Sequence, residues 1–293
     1  MILLKLVNVY INQITQQNSI DMTKRFIILI DFSEYSSNLI KYAYDWSKQA
    51  NAELLLVHQT NVLLPGLIDY SSKQQIIQQN NQKALDKLKS LTNDIISSSD
   101  KVSFFVSEIN LQTILTNLLA EPFHNLIFTG LKGTGLLKQL FIGNVALQLI
   151  EKVKNIVVAM PKEIYSFNHE KIFIAVTEKH PLNILELNYF LNFFDKENTC
   201  LTFFYLAKPN EKTKGIEKQL NNLHSLFSEK FDTKTVIYEG STPFEDIKKI
   251  INNKEEEMLI VQKGSRLLTD QLFRRFLINE LVYEGQTPLI ILP

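Results

Sequence analysis

A second cysteine is missing from this chain: Cys200 stands alone among 293 residues, so no disulfide can close within it. That points to a reducing compartment, the cytoplasm. Cys200 lies in the apolar run TCLTFFYL and reads as a buried, unreactive thiol. An excess of charge is missing too. With 31 basic and 31 acidic residues the net charge is zero, which argues against nucleic-acid and membrane-surface binders, both of which carry a basic excess. No stretch reaches the roughly 18 apolar residues of a membrane span. The opening segment MILLKLVNVYINQITQQNSID resembles a signal peptide only briefly. Asn8, Asn12 and Gln13 break its apolar core, and no small-residue cleavage site follows. Leu3, Leu6, Val7, Tyr10 and Ile14 fall at helical spacing. Residues 1–21 therefore read as a dispensable extension, either a docking helix or a leader ahead of a start at Met22.

Catalytic signatures are absent as well. GTGLLK lacks the GK[ST] ending of a Walker loop, no GxGxxG follows the first strand, and no GxSxG elbow occurs. The histidines, His58, His124, His169, His180 and His224, show no metal-ligand spacing. These absences predict no catalytic residues, no metal site and no enzymatic turnover.

What is present is an alternation of strand and helix patterns, written twice. RFIILID, from Arg25 to Asp31, is a continuous apolar run of the kind buried on both faces of a parallel sheet. Ser33 is placed to N-cap the next helix, whose apolar face is Leu39, Ile40, Ala43, Tyr44, Trp46 and Ser47. Further strands are expected at residues 52–59, 102–107, 125–129 and 155–159. Helices are expected at residues 71–97, with Ile76, Ile77, Ala84, Leu85 and Leu88 on one face, at 111–120, and after Gly143.

A second copy starts near Lys171, with strands at residues 199–206, 232–238, 258–262 and 288–292. VVAMP closes the first copy and IILP the second, and counting back from them superposes the copies at an offset of 132 residues. Two domains of about 130–150 residues suit this length. The boundaries read as an extension at 1–21, a first domain at 22–162 and a second at 163–293. The fold class is α/β: two tandem doubly wound, five-stranded parallel-sheet domains. The apolar fifth strands are expected to pair with each other and cover two sheet edges.

With strand order 3-2-1-4-5 the winding direction reverses between strands 1 and 4, where ligands of such sheets bind. Asp31 ends strand 1 there. After strand 4 the chain reads GLKGTGLLKQLFIGN, from Gly130 to Asn144. Glycines at a strand's carboxyl end let backbone N–H groups approach a phosphate closely, and a helix N-terminus next door adds donors and partial positive charge. The same residues have plainer readings. The glycines serve turns and close packing, Asp31 caps a helix, His58 is a satisfied half-buried histidine, and the loop lysines are solvated.

Asp31-Phe32-Ser33 after strand 1, with Gly130-x2-Gly133-x9-Gly143-Asn144 after strand 4, resembles the universal stress protein family. The resemblance runs from Met22 as two copies, with the ligand motif confined to the first, and it implies an adenine nucleotide alpha hydrolase-like sheet. It further implies ATP, with Mg²⁺, as ligand. Gly130 and Gly133 would let the loop pass close to ribose and phosphates, and Gly143 and Asn144 would present N–H groups. Asp31 would accept from the ribose, Val57 and His58 would lie against adenine mostly through backbone groups, and Lys132 and Lys138 would offset phosphate charge. ATP-binding members usually carry serine or threonine where this chain has Asn144.

Under the 132 offset Gly130, Gly133 and Gly143 become Gln262, Ser265 and Arg275, while Thr177 answers Asp31. The second copy thus reads as structural or partner-facing, with Gly264 and Ser265 kept as a generic turn. The implied function is nucleotide-dependent interaction with a protein partner in stress adaptation, by an intramolecular pseudo-dimer open to further homodimerisation. The alternatives are a scaffold that binds no nucleotide and a slow ATPase.

Overall fold

The computed structural model describes residues 22–62, 66, 69–96, 101–130, 152–161, 164, 166–239, 257–265 and 287–293. In chain order the elements are β1 (Lys24–Leu29), α1 (Ser36–Ala50), β2 (Glu53–Gln59), α2 (Tyr70–Asn93), β3 (Val102–Ser107), α3 (Leu111–Leu119), β4 (His124–Gly130) and β5 (Val157–Met160). β6 (Lys171–Ala175), α4 (Ile184–Leu191), β7 (Cys200–Ala207), α5 (Lys214–Phe227), β8 (Asp232–Glu239), β9 (Glu257–Gln262) and β10 (Leu289–Leu292) follow. Residues 1–21, the helix expected after Gly143 and Arg275 lie outside the described residues.

The strands form one ten-stranded sheet in the order β3-β2-β1-β4-β5-β10-β9-β6-β7-β8. Each half runs 3-2-1-4-5 from its own edge, as expected. Neighbours are parallel except at the centre, where β10 pairs antiparallel with β5 through Leu289↔Ala159, Ile290↔Val158 and Ile291↔Val157. The strands are buried on both sides because alternate residues enter different cores. Phe26 and Ile28 join one cluster with Ile172, Ile174, Ile290 and Leu292. Ile27 joins the opposite cluster with Val57, Val157, Phe204, Val261 and Ile291. Each cluster therefore runs through both halves. α1, α4 and α5 cover the first face, and α3 covers the second through Ile114, Leu115 and Leu118.

Aromatic rings close the seam between the halves. Trp46, fully buried on α1, donates its indole N–H to the carbonyl of Phe193 in the second half at 3.0 Å. Its ring stacks on Phe167 at 4.8 Å and meets Phe26, Phe128, Phe190 and Phe194 at 4.9–6.0 Å. Tyr42, absent from the expected α1 face, meets Phe167 edge-on at 5.5 Å, whereas Tyr44 is only half-buried. Lys24 Nζ adds a 2.8 Å bond to the Asn192 carbonyl, and Lys263 Nζ reaches the Val153 carbonyl at 3.1 Å.

At the amino edge of the first half, Arg25 is buried but fully matched. Its guanidinium donates to Asn125 Oδ1 (2.9 Å), Glu121 Oε2 (2.5 Å) and the Leu118 carbonyl (2.7 Å), and lies 4.0 Å from the Phe123 ring. A buried charge needs such a full set of partners to be tolerated. Cys200 is less buried than its apolar run suggests. Burial and neighbouring Asp232 push its thiol up, which keeps it protonated. No described helix is long and apolar enough to cross a membrane.

Trp46→Ala should lower unfolding free energy by about 3–5 kcal/mol, the range for emptying a buried aromatic site, read by urea denaturation. His169 offers a second test. It is buried, stacked on Phe167 at 5.1 Å, and its Nε2 has no hydrogen-bond partner among the described residues. Burial holds its pKa below the ordinary 6.5, against the opposing pull of Asp195 and Glu170. Because the unfolded chain takes up that proton first, stability should be constant above 6.5 and fall as pH drops through it. In His169→Phe, unfolding midpoints measured from about pH 8 to about pH 5 should decline less steeply.

Candidate functional site

The chain leaves β1 at Leu29, but Ile30 N still donates to the Val57 carbonyl at 2.9 Å, which keeps the strand ends in register. Asp31 then makes the turn. Its Oδ1 accepts from Ser33 N (2.9 Å) and Ser36 Oγ (3.3 Å), and Ser33 O accepts from Ser36 N (3.1 Å). α1 begins at Ser36 with Tyr35 at its cap and no side-chain cap bond, so Ser33 is not the N-cap. The shorter reach of Asp31 to the Ser33 amide draws Ser33 into the turn ahead of the helix. This use of Asp31 engages only Oδ1; Oδ2 carries no hydrogen bond among the described residues.

Phe32 sits at φ 58, in the left-handed region. For a bulky side chain this costs about 1–2 kcal/mol. Contacts on its ring offset that strain. The His58 ring lies 4.3 Å away and Lys87 Nζ of α2 stands 4.3 Å from the ring centroid, a cation–π distance. His58 Nδ1 lies 2.8 Å from the Ile30 carbonyl. Burial moves its pKa below 6.5, outweighing the Ile30 bond and the Asp31 charge, which act upward; Lys87 adds to the fall. The side chain of Val57 belongs to the core on the other sheet face, so only backbone is left for the carboxyl edge.

Gly130 ends β4 opposite Met160. Among the described residues a Cβ built on it would meet nothing within 4 Å, and its φ is not positive. No described side chain therefore crowds the strand end, where β4 runs beside β1. Lys132, Gly133, Lys138, Gly143 and Asn144 lie outside the described residues. Of the expected site, the structure brings Asp31, Phe32, Ser33, Val57, His58 and Gly130 to one edge.

The sequence reading missed Lys87 and a polar chain beside it. Thr60 Oγ1 donates to Asn81 Oδ1 at 2.5 Å, and Asn81 Nδ2 to Glu108 Oε2 at 2.9 Å. That bond from Asn81 holds the Glu108 carboxyl below its usual range. Length was the available signal. A 24-residue helix spans about 36 Å and a seven-residue strand about 23 Å, so α2 must overhang the sheet and bring polar residues to its edge.

The second half carries a side chain at the equivalent strand end. Gly130 faces Met160 as Gln262 faces Leu292, so both members of the pair shift by 132 residues. Val176 N bonds the Phe204 carbonyl as Ile30 N bonds Val57, which places Thr177 where Asp31 stands. The Gln262 side chain accepts from Asn183 N at 3.0 Å, at the cap of α4, and donates to the Pro293 carbonyl. Thr177 Oγ1 turns to the His180 carbonyl at 3.0 Å. Gly264, at φ 79, and Ser265 form the turn expected of them. Among the described residues no group of three or more His, Cys, Asp or Glu is placed to hold a metal ion.

No curated protein matches this chain in sequence. Among solved structures, a universal stress protein from Archaeoglobus fulgidus DSM 4304 aligns with a TM-score of 0.61 at 16% identity, covering 92% of this chain and 97% of that one. A functionally unknown protein from Pseudomonas aeruginosa PAO1 aligns at 0.53 with 12% identity, covering 94% of each. At these identities the likeness is one of fold. The profile of the universal stress protein family matches residues 22–161, the stretch that runs from β1 to β5 and holds every described residue of the site. Residues 22–161 are a universal stress protein domain.

Proposed function

We propose that this domain binds ATP or a related adenine nucleotide, with Mg²⁺, at the carboxyl edge of β1, β2 and β4. The observation that carries the reading is the contrast between two equivalent strand ends. Among the described residues nothing lies within 4 Å of where a side chain on Gly130 would begin, while Gln262 carries an amide bonded to Asn183 N and the Pro293 carbonyl. Asp31 Oδ2 is available to ribose hydroxyls while Oδ1 keeps the turn closed. His58 and the backbone of β2 stand where the base would lie. The glycine run after Gly130 and the start of the helix after Gly143 would take the phosphates, with Lys132 and Lys138 supplying countercharge.

The reading is binding without turnover. The loaded state would govern contact with a partner protein in stress adaptation, in the cytoplasm. The second half, whose Gln262 amide bonds its own backbone, would serve as the structural or partner-facing copy.

Calorimetry on the full chain with Mg²⁺ and ATP tests this. Saturable binding below millimolar nucleotide is expected; none at millimolar sinks the proposal. Gly130→Gln, which copies the second half, should weaken binding at least about tenfold, equivalent to about 1.4 kcal/mol. Its unfolding free energy should stay within about 0.5 kcal/mol of the parent, since the added side chain meets none of the described residues at its base. Gly143→Arg should weaken binding likewise. Gln262→Ala should do the reverse: nucleotide affinity unchanged, and stability lower by about 1–2 kcal/mol, because the amide of Asn183 loses its acceptor.

A further inference from the structure

His58 is fixed in position from more than one direction. A carbonyl can only accept, so the ring proton sits on Nδ1, facing Ile30 O at 2.8 Å, and Nε2 keeps its lone pair. The tilted ring of Phe32, 4.3 Å away, limits rotation of the imidazole. Nε2 has no hydrogen bond among the described residues, on a side chain that is half-buried near the carboxyl end of β2, which leaves its lone pair for a ligand. The result is an acceptor whose tautomer and direction are set before any ligand arrives.

Resting on the adenine-nucleotide reading, we propose that His58 Nε2 accepts from the exocyclic amino group of the base and so selects a 6-amino purine over a 6-oxo purine. A 6-oxo group would set lone pair against lone pair. Shifting the ring proton to Nε2 would relieve that clash only by turning the bare Nδ1 onto the Ile30 carbonyl. Either arrangement leaves a half-buried polar atom unmatched, the situation that gives hydrogen-bonding sites their large discrimination.

Two charged groups face the ring: Asp31 from the end of β1, which favours the imidazolium, and Lys87 from α2, which opposes it. Burial outweighs both, so the imidazole is neutral at and above its ordinary 6.5. When it is protonated, Nε2 becomes a donor. It then matches the 6-oxo group and repels the amino group, so the preference for adenine should shrink in acid. A histidine that merely packs would show no such exchange.

The test is calorimetry of the full chain with Mg²⁺ and either ATP or inosine triphosphate, at about pH 7.5 and about pH 5. Wild type should prefer ATP by about tenfold or more at the higher pH and by clearly less at the lower. His58→Phe keeps a ring against Phe32 but no acceptor. It should lose ATP affinity, bind inosine triphosphate no more weakly than wild type at the higher pH, and show a ratio near one at both pH values. A wild-type ratio near one, or a preference retained in His58→Phe, overturns the role of His58 while the nucleotide site stands. Failure of wild type to bind either nucleotide overturns the site and this role together. The wild-type pH series needs no variant, so a misfolded His58→Phe protein leaves the proposal open to refutation.

Discussion

Two four-residue strands that are buried at every position cannot leave their backbone unpaired. β5 and β10 are such strands, and each would otherwise be the bare edge of a five-stranded sheet. Their mutual pairing is what makes one molecule of two halves. Because the pair is antiparallel, every strand of the second half runs against every strand of the first. The carboxyl edges of the halves thus lie on opposite sides of a single sheet. Both cores become continuous across the join, and Trp46 fills the gap left between α1 and the second half.

That frame lets the carboxyl edge of the first half hold groups that are not at their individual optimum. Phe32 is strained and His58 is held short of full hydration, while Asp31 spends one oxygen on a turn and keeps the other. Strain of this kind persists where surrounding structure over-determines it, and it tends to gather at ligand edges. The second half has none of it at the matching place. Thr177 and Gln262 bond inward, and the Glu178 carboxylate packs against Gly215 on the first turn of α5.

The strands were legible because burial on both faces writes continuous apolar runs, and the division into two halves was legible because the runs repeat. Boundaries moved by a residue or two, as at β1, where Ile30 and Asp31 lie beyond the strand. Ser33 was misread because sequence shows which residues can cap but not which side chain reaches an amide first. The seam aromatics Phe167, His169, Phe193 and Phe194 follow no period, since they lie in connections rather than on one face of an element. Lys87 met the site only through the packing of α2 against β3 and α1. The substitution at position 262 was visible in the sequence; that its amide would find two backbone partners was not.

Gln262 can be viewed as a ligand that never dissociates. A free molecule entering a crevice gives up translational and rotational freedom, whereas a tethered amide has already lost most of it through the chain. Its local concentration at the strand end is set by a side chain of three rotatable bonds rather than by the cell. The strand end of one half is thus held by a group of its own chain, while the equivalent strand end of the other carries no side chain at all, although both are built on the same register.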